Sequence, residues 1–267
     1  MASENTALNG PTPTPSYVPP VSGRSDGKGN AITNYILNHI PESEFSRLQP
    51  HFEFVQLTYH HSLHPANQEM DYAYFLNRGM ASLVVVTSDG RTVEVGIVGR
   101  EGAVGATIAV GLKRSPYGAI IQIPGDGFRI RSDDLEDLMD TVPEFELMLN
   151  RYASIQGMQV AQLAACNRLH EIEQRLARWM LMCQDRVEAD VLPMTHEFFA
   201  QMLGAGRPSV TLAAGALQKA GIIRYTRGKV NILNRPALED AACECYRVIQ
   251  KYGHNNLPPT PAESSAA

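Results

Sequence analysis

Long apolar runs are missing from this chain: no stretch approaches the ~18 uninterrupted apolar residues that a helix needs to cross a bilayer. Its first residues lack the basic patch and apolar core of a secretory leader. The expectation is a cytoplasmic protein that does not use a membrane. Cysteine is scarce as well. The four present, Cys166, Cys183, Cys243 and Cys245, do not have the spacing of a disulfide framework or of a four-cysteine zinc site. Cys243-Glu244-Cys245 stands without a second pair or a nearby histidine doublet to close a tetrahedron, so no metal site is expected and the cysteines read as buried free thiols. Excess positive charge is absent too. A net charge of -5 excludes a chain coated in nucleic acid or spread on an anionic membrane, because both need a broadly positive surface. A local basic patch is still allowed.

What the chain has is 44% apolar residues over 267 positions, enough for two modest cores. Residues 1–30 are rich in Pro, Gly, Ser and Thr and read as a disordered tail, as do residues 251–267. From Ile32 to Leu48 apolar residues recur at three and four and predict a short helix that Pro41 interrupts. Between Phe52 and Ile130 the period drops towards two, and short apolar runs alternate with turn signals: "FEFVQLTY", "YAYFLNRG", "ASLVVVTSDGRTVEVGIVG", "GAIIQIPGDGFRI". "SLVVVTSDGRTVEVGIV" predicts a hairpin, with Asp89-Gly90 supplying positive backbone angles at its tip. Many short strands at regular spacing imply an antiparallel sandwich, barrel or jelly roll.

Helix returns at Ser132, expected as a cap, and after Pro143 a long helical pattern runs to about Val187. In its first half Phe145, Met148, Tyr152 and Ile155 recur at three and four, a seam assigned to a dimer partner, with packing inside one subunit as the alternative. In the second half Leu169, Ile172, Leu176, Trp179, Met180 and Cys183 share one face, and Arg168, Glu171, Arg175 and Arg178 read as the solvated side.

"THEFFAQMLGAGRPSVTLAAGALQKAG" carries the chemistry. Thr195 can cap a first helix, Ala200 is small where a second helix would cross, Gly204 permits a turn, and Val210 returns to the core. Pro208 fits only in a first helical turn, so the second helix starts near Arg207. That helix presents Arg207, Ser209 and Thr211 at its N-terminal end and Lys219 further on, where base edges and phosphates would be met in a major groove. "IIRYTRGKVNIL" follows as a hairpin whose tip carries Arg227 and Lys229. Between Met194 and Arg235 the only acidic residue is Glu197, so an acidic chain contains a basic, DNA-binding module.

This order of parts resembles the Crp/Fnr family of bacterial transcription regulators, most specifically in "NRLHEIEQRLARWML" and the helix-turn-helix that follows. The resemblance implies an α+β fold: a cyclic-nucleotide-binding-like sensor roll (31–142), a dimerisation helix (143–166) and a winged helix-turn-helix domain (167–250). It also implies a homodimer on palindromic double-stranded DNA, with RNA polymerase as a further partner. Arg207 stands at the family's base-contacting position, whereas the next position, often Glu, is Pro208. The sensor departs further: Ala106 follows Gly105, and Pro116 and Tyr117 stand near the phosphate position, with Lys113 and Arg114 out of register. Ordinary cAMP binding is not expected, and neither ligand nor cofactor can be named. The competing reading is a metal-binding, cupin-like β-roll enzyme built on His60, His61 and His64, although no carboxylate follows them at a ligand spacing.

Overall fold

The computed structural model describes residues 23–254. The expected tails, 1–30 and 251–267, therefore lie mostly outside the described residues. The part of the first that is described is tied down. Arg24 donates to the carbonyl oxygens of Leu37 and Ile40, pairs with Glu42 at 3.0 Å and lies 4.5 Å over the Phe45 ring.

α1 (Tyr35–Asn38) and α2 (Glu42–Leu48) are separated at Pro41 and precede β1 (Glu53–Leu57) and β2 (Ser62–His64). β3 (Tyr72–Val86) and β5 (Gly118–Arg131) are long strands flanking β4 (Thr92–Val98) in sequence. The sheet is antiparallel throughout, in the order β1-β5-β3-β4, with β2 also on β5. "YAYFLNRG" and "ASLVVV" are thus one strand, bent where the β3–β5 register shifts between Leu76 and Ala81. The β3–β4 hairpin is as expected, but its tip differs. Thr87 N–H donates to Arg91 O at 2.8 Å across a three-residue loop, and only Gly90 takes a positive φ, 82°.

α3 (Ser132–Leu138) begins one residue earlier than a Ser132 cap requires, and Ser132 caps nothing. Its hydroxyl is buried and donates to Met70 O instead. The long helical pattern is two helices, α4 (Pro143–Leu169) and α5 (Ile172–Val187). His170 leaves helical geometry at φ −107° and ψ 147°, and Glu171 and Gln174 close a capping box that starts α5. Beyond lie β6 (Val191–Leu192), α6 (His196–Leu203), α7 (Arg207–Lys219), β7 (Ile223–Thr226), β8 (Lys229–Ile232), α8 (Arg235–Ala241) and α9 (Cys245–His254). No helix among the described residues is long and apolar enough to cross a membrane.

The core falls into two parts. The first joins the roll to the start of α4 and contains Phe145, Met148, Leu149 and Tyr152. The residues assigned to a dimer seam, Phe145, Met148, Tyr152 and Ile155, are each 5% exposed or less within a single chain, which is the packing inside one subunit named as the alternative. The second part gathers α5, α6, α7 and β6–β8, and draws in Met80, Ile97 and Ile123 from the roll. α5 is buried nearly all round from Leu176 to Gln184. Arg178, expected in solvent, is 3% exposed, and Leu169, expected in the core, is 73% exposed.

Polar links also cross between the two parts, and the most buried is centred on Glu94. The Trp179 indole N–H donates to Glu94 on β4 at 2.6 Å, and Ser82 Oγ donates to the other carboxylate oxygen at 2.5 Å. Burial pushes the Glu94 carboxyl up to about 7, against the pull of those two donors and of Arg178 and Arg186. The folded protein thus binds a proton that the unfolded chain has released between pH 4.5 and 7. Stability from this group is complete below the unfolded value and is lost as pH rises through 7, a difference on the order of 3 kcal/mol for a shift of this size. Urea unfolding should give a midpoint that falls from pH 5 to pH 8, and Glu94→Gln should flatten that fall.

Candidate nucleic-acid interface

The first helix of the pair starts as its sequence dictates. Thr195 is the N-cap of α6, and its hydroxyl accepts from Phe198 N–H at 3.1 Å. Phe199, Ala200, Met202 and Leu203 are buried, and Trp179 meets the Phe199 ring edge-on at 5.5 Å. Gly204 ends α6 in the left-handed region at φ 57°, where a side chain is strained. A Cβ at this position would also lie 3.0 Å from Val93 Cγ2, so the turn rests against the roll. Ala205 N–H returns to Ala200 O at 2.9 Å, and the Arg175 guanidinium donates to Leu203 O, satisfying carbonyls that the helix end leaves open.

α7 begins at Arg207 with Pro208 in its first turn. Val210, Ala213, Ala214 and Leu217 are buried against α5 and α6. Arg207, Ser209, Thr211, Leu212 and Lys219 are exposed. Arg207 reaches Glu197 at 3.6 Å, with both side chains about two-thirds exposed or more, a weak surface pair. Thr211 Oγ1 lies 3.2 Å from His196 Nδ1, and the His196 ring packs 4.0 Å from that of Tyr225. His196 is held below the usual histidine range by burial and by the Arg207 charge.

β7 and β8 form a hairpin closed by Arg227-Gly228, whose φ angles of 22° and 79° are both positive, as a two-residue turn with primed geometry needs. β6 pairs with β8 to complete a three-stranded sheet. The hairpin is docked on α7, because the Gln218 side chain accepts from Tyr225 N–H at 2.8 Å. Its tip lies beside the start of α6: a Cβ on Gly228 would stand 3.7 Å from Thr195 Cγ2. Thr195 and the Arg227–Lys229 tip are thus brought together on one flank, with the Arg207 end of α7 joined to α6 through Glu197 and His196. Arg235, counted from sequence as part of the basic module, is instead an internal clamp on Asp185, Glu239, Gln184 and Tyr246. Leu212, which sequence reading passed over, is 76% exposed on α7, and its signal was an apolar residue one step from the polar Thr211.

The histidines of the competing enzyme reading do not converge. His60, at φ 61°, and His61 lie in the turn after β1, exposed, while His64 is 3% exposed with Nδ1 3.3 Å from Pro65 O. No group of metal-donor atoms among the described residues includes any of the three.

Residues 174–241 match the Crp-like helix-turn-helix domain family. Over 175 residues the chain is 23% identical to the global nitrogen regulator of Synechocystis sp., covering 62% of this chain and 77% of that protein. Its fold is similar to that of a putative transcriptional regulator of the Crp/Fnr family from Eubacterium rectale, with a TM-score of 0.62 at 16% identity over 78% of this chain and 97% of that one. It is also similar to FixK2 from Bradyrhizobium japonicum, with a TM-score of 0.60 at 16% identity over 72% and 98%. Residues 174–241 thus belong to the Crp-like helix-turn-helix domain family, and the chain as a whole shares the fold of Crp/Fnr transcription regulators.

Proposed function

We infer that the protein acts as a homodimer that lays its two α7 helices in successive major grooves of a palindromic site, with half-sites about 34 Å apart. The observation that carries this reading is the exposed face of α7, led by Arg207 and free of buried apolar side chains other than those that hold the helix down. Arg207 reads guanine through O6 and N7. Ser209 and Thr211 meet bases or phosphate, and Leu212 suits a thymine methyl. Thr195 and Lys219, with Arg227 and Lys229 of the wing, take phosphates on the flank.

The dimer contact moves to the other side of α4. Leu147, Ser154, Met158, Ala161 and Ala165 follow one another at seven, four, three and four, all exposed, with Leu147 at 45% and Met158 at 47%. This is a heptad stripe of apolar and small residues, and it is self-complementary when a second copy of α4 lies against it. The sensor side supports a signal other than ordinary cAMP. Lys113 is engaged by Asp133 at 2.8 Å and Glu136 at 2.7 Å, Arg114 lies 3.7 Å from Glu69, and Tyr152 and Ile108 fill the space between roll and helix. Cytoplasmic residence and contact with RNA polymerase go with this role.

Selection of binding sites from random duplex DNA tests the reading, and the absence of any enriched palindrome would overturn it. Arg207→Ala should relax one base position by ~1–3 kcal/mol of discrimination. Lys229→Ala should instead weaken all sequences alike and lower the salt slope by about 1. Met158→Glu should give monomers in size-exclusion chromatography with light scattering, and about tenfold or more weaker binding to the selected site.

A further inference from the structure

Cys243-Glu244-Cys245 lacks a partner pair in sequence but not in space. The last turn of α4 carries Cys166, and His170 follows four residues later on the same side, at the break before α5. The segment between α8 and α9 brings Cys243 against them, and the first residue of α9 brings Cys245. Cys166 Sγ lies 3.4 Å from Cys243 Sγ, and Cys245 Sγ lies 3.6 Å from His170 Nδ1. All four donor atoms fall within 4.8 Å of one another. A tetrahedral zinc ion with bonds of about 2.3 Å to sulfur and 2.0 Å to nitrogen spaces its ligands about 3.5–3.8 Å apart, so these separations need only a small adjustment. We propose that Cys166, His170, Cys243 and Cys245 form a closed site for a single Zn2+ ion.

The surroundings are those of metal ligands rather than of idle thiols. His170 points Nδ1 at the sulfurs and Nε2 at Glu244 Oε1, 3.1 Å away, the arrangement in which a carboxylate fixes the tautomer and leaves the other nitrogen bare for a metal. Gln162 Nε2 donates to Cys245 Sγ at 3.1 Å, a bond that a thiolate accepts well. Three thiolates and a dication sum to a single negative charge, and the buried Arg178 guanidinium acts on both the Cys166 and Cys243 sulfurs. Sulfur with imidazole selects zinc over hard cations such as Mg2+. Four donors this close converge on one ion, whereas irons bridged by sulfide would hold them further apart. Three buried cysteines and a half-buried histidine leave no coordination position open to solvent, so the site is structural. Binding releases the thiol protons to solvent.

The place of the site gives it a task. His170 is the residue at which α4 ends, and Cys243 and Cys245 lead into α9, which packs back along α4. The ion therefore clamps the angle at which the DNA-binding half leaves the long helix.

Full-length protein prepared anaerobically without chelator should contain about one zinc per chain by elemental mass spectrometry. Replacement by Co2+ should give the intense visible absorption of tetrahedral cobalt and a sulfur-to-cobalt charge-transfer band. Cys245→Ser and His170→Ala should lose the ion, His170→Cys should keep a tetrahedral spectrum shifted towards four sulfurs, and Cys183→Ser should leave the stoichiometry unchanged. Since wild-type metal content does not depend on how any variant folds, substoichiometric zinc with all four thiols titratable would overturn the proposal. So would a Cys166–Cys243 disulfide in the anaerobic protein, or iron with acid-labile sulfide.

Discussion

The Tyr152 ring packs against Gly102, and the seating of α4 on the roll follows from how little room that contact leaves. A Cβ at position 102 would stand 1.9 Å from Tyr152 Cζ, so only glycine admits the ring. The contact fixes α4 in rotation as well as position. Phe145, Met148 and Leu149 must then face the roll, and the stripe from Leu147 to Ala165 must face outward. One face of the helix is consumed in closing the sensor core, and the proposed dimer would use the other, so the register of both interfaces would be set by one helix.

From the end of α4 the constraint passes to α5. The helix turns at His170, restarts in the Glu171–Gln174 capping box, and enters a core in which it is surrounded. Its charged end is held to the roll as well. Arg186, its side chain 10% exposed, pairs with Glu101 at 2.8 Å, and Glu188, at the α5 C-cap, pairs with Arg100. Buried ion pairs contribute little net stability, but each fixes a geometry that an apolar contact would let slide. Together with the Glu94–Trp179 hydrogen bond they tie β4 and the turn after it to the helix on which α6 and α7 are packed. A shift of β4 therefore reaches the helix pair by two routes, through Trp179 and the Phe199 ring against it on α6, and directly through Val93 beside the Gly204 turn.

What the sequence made legible was local. The glycine turn at 204, the proline start of α7 and the Arg227-Gly228 wing are each set by backbone angles that few residues tolerate, and each stands where it was expected. What it concealed depended on distant chain. α4 has apolar or small residues on both faces, so periodicity identified a seam without saying which surface would meet it, and the roll took the face assigned to a partner. Ser132 has a capping residue's identity but lies opposite Met70 O, a stronger claim on its hydroxyl. Arg178 continues a surface-like charge run, yet the helix turns at His170 and carries it inward. The thiol cluster joins positions 166 and 243, which no local spacing rule can bring together.

An acidic protein can bind an acidic polymer only if its cations are sorted, and here the sorting is done by pairing. Outside the helix-turn-helix several basic side chains are matched: Lys113 with Asp133 and Glu136, Arg129 with Glu53, Arg78 with Asp126, Arg235 with Asp185 and Glu239. On the recognition face the pattern reverses. Lys219, Arg224, Arg227 and Lys229 are exposed and have no ion-pair partner among the described residues, and the one pair there, Arg207 with Glu197, is solvent-screened. On the proposed reading, phosphates would meet cations that have given up no internal partner, so the counterions released would be a net gain. The chain's net charge of -5 works in the same direction, since it disfavours approach of a duplex to the molecule as a whole and leaves attraction to local groups of unpaired cations.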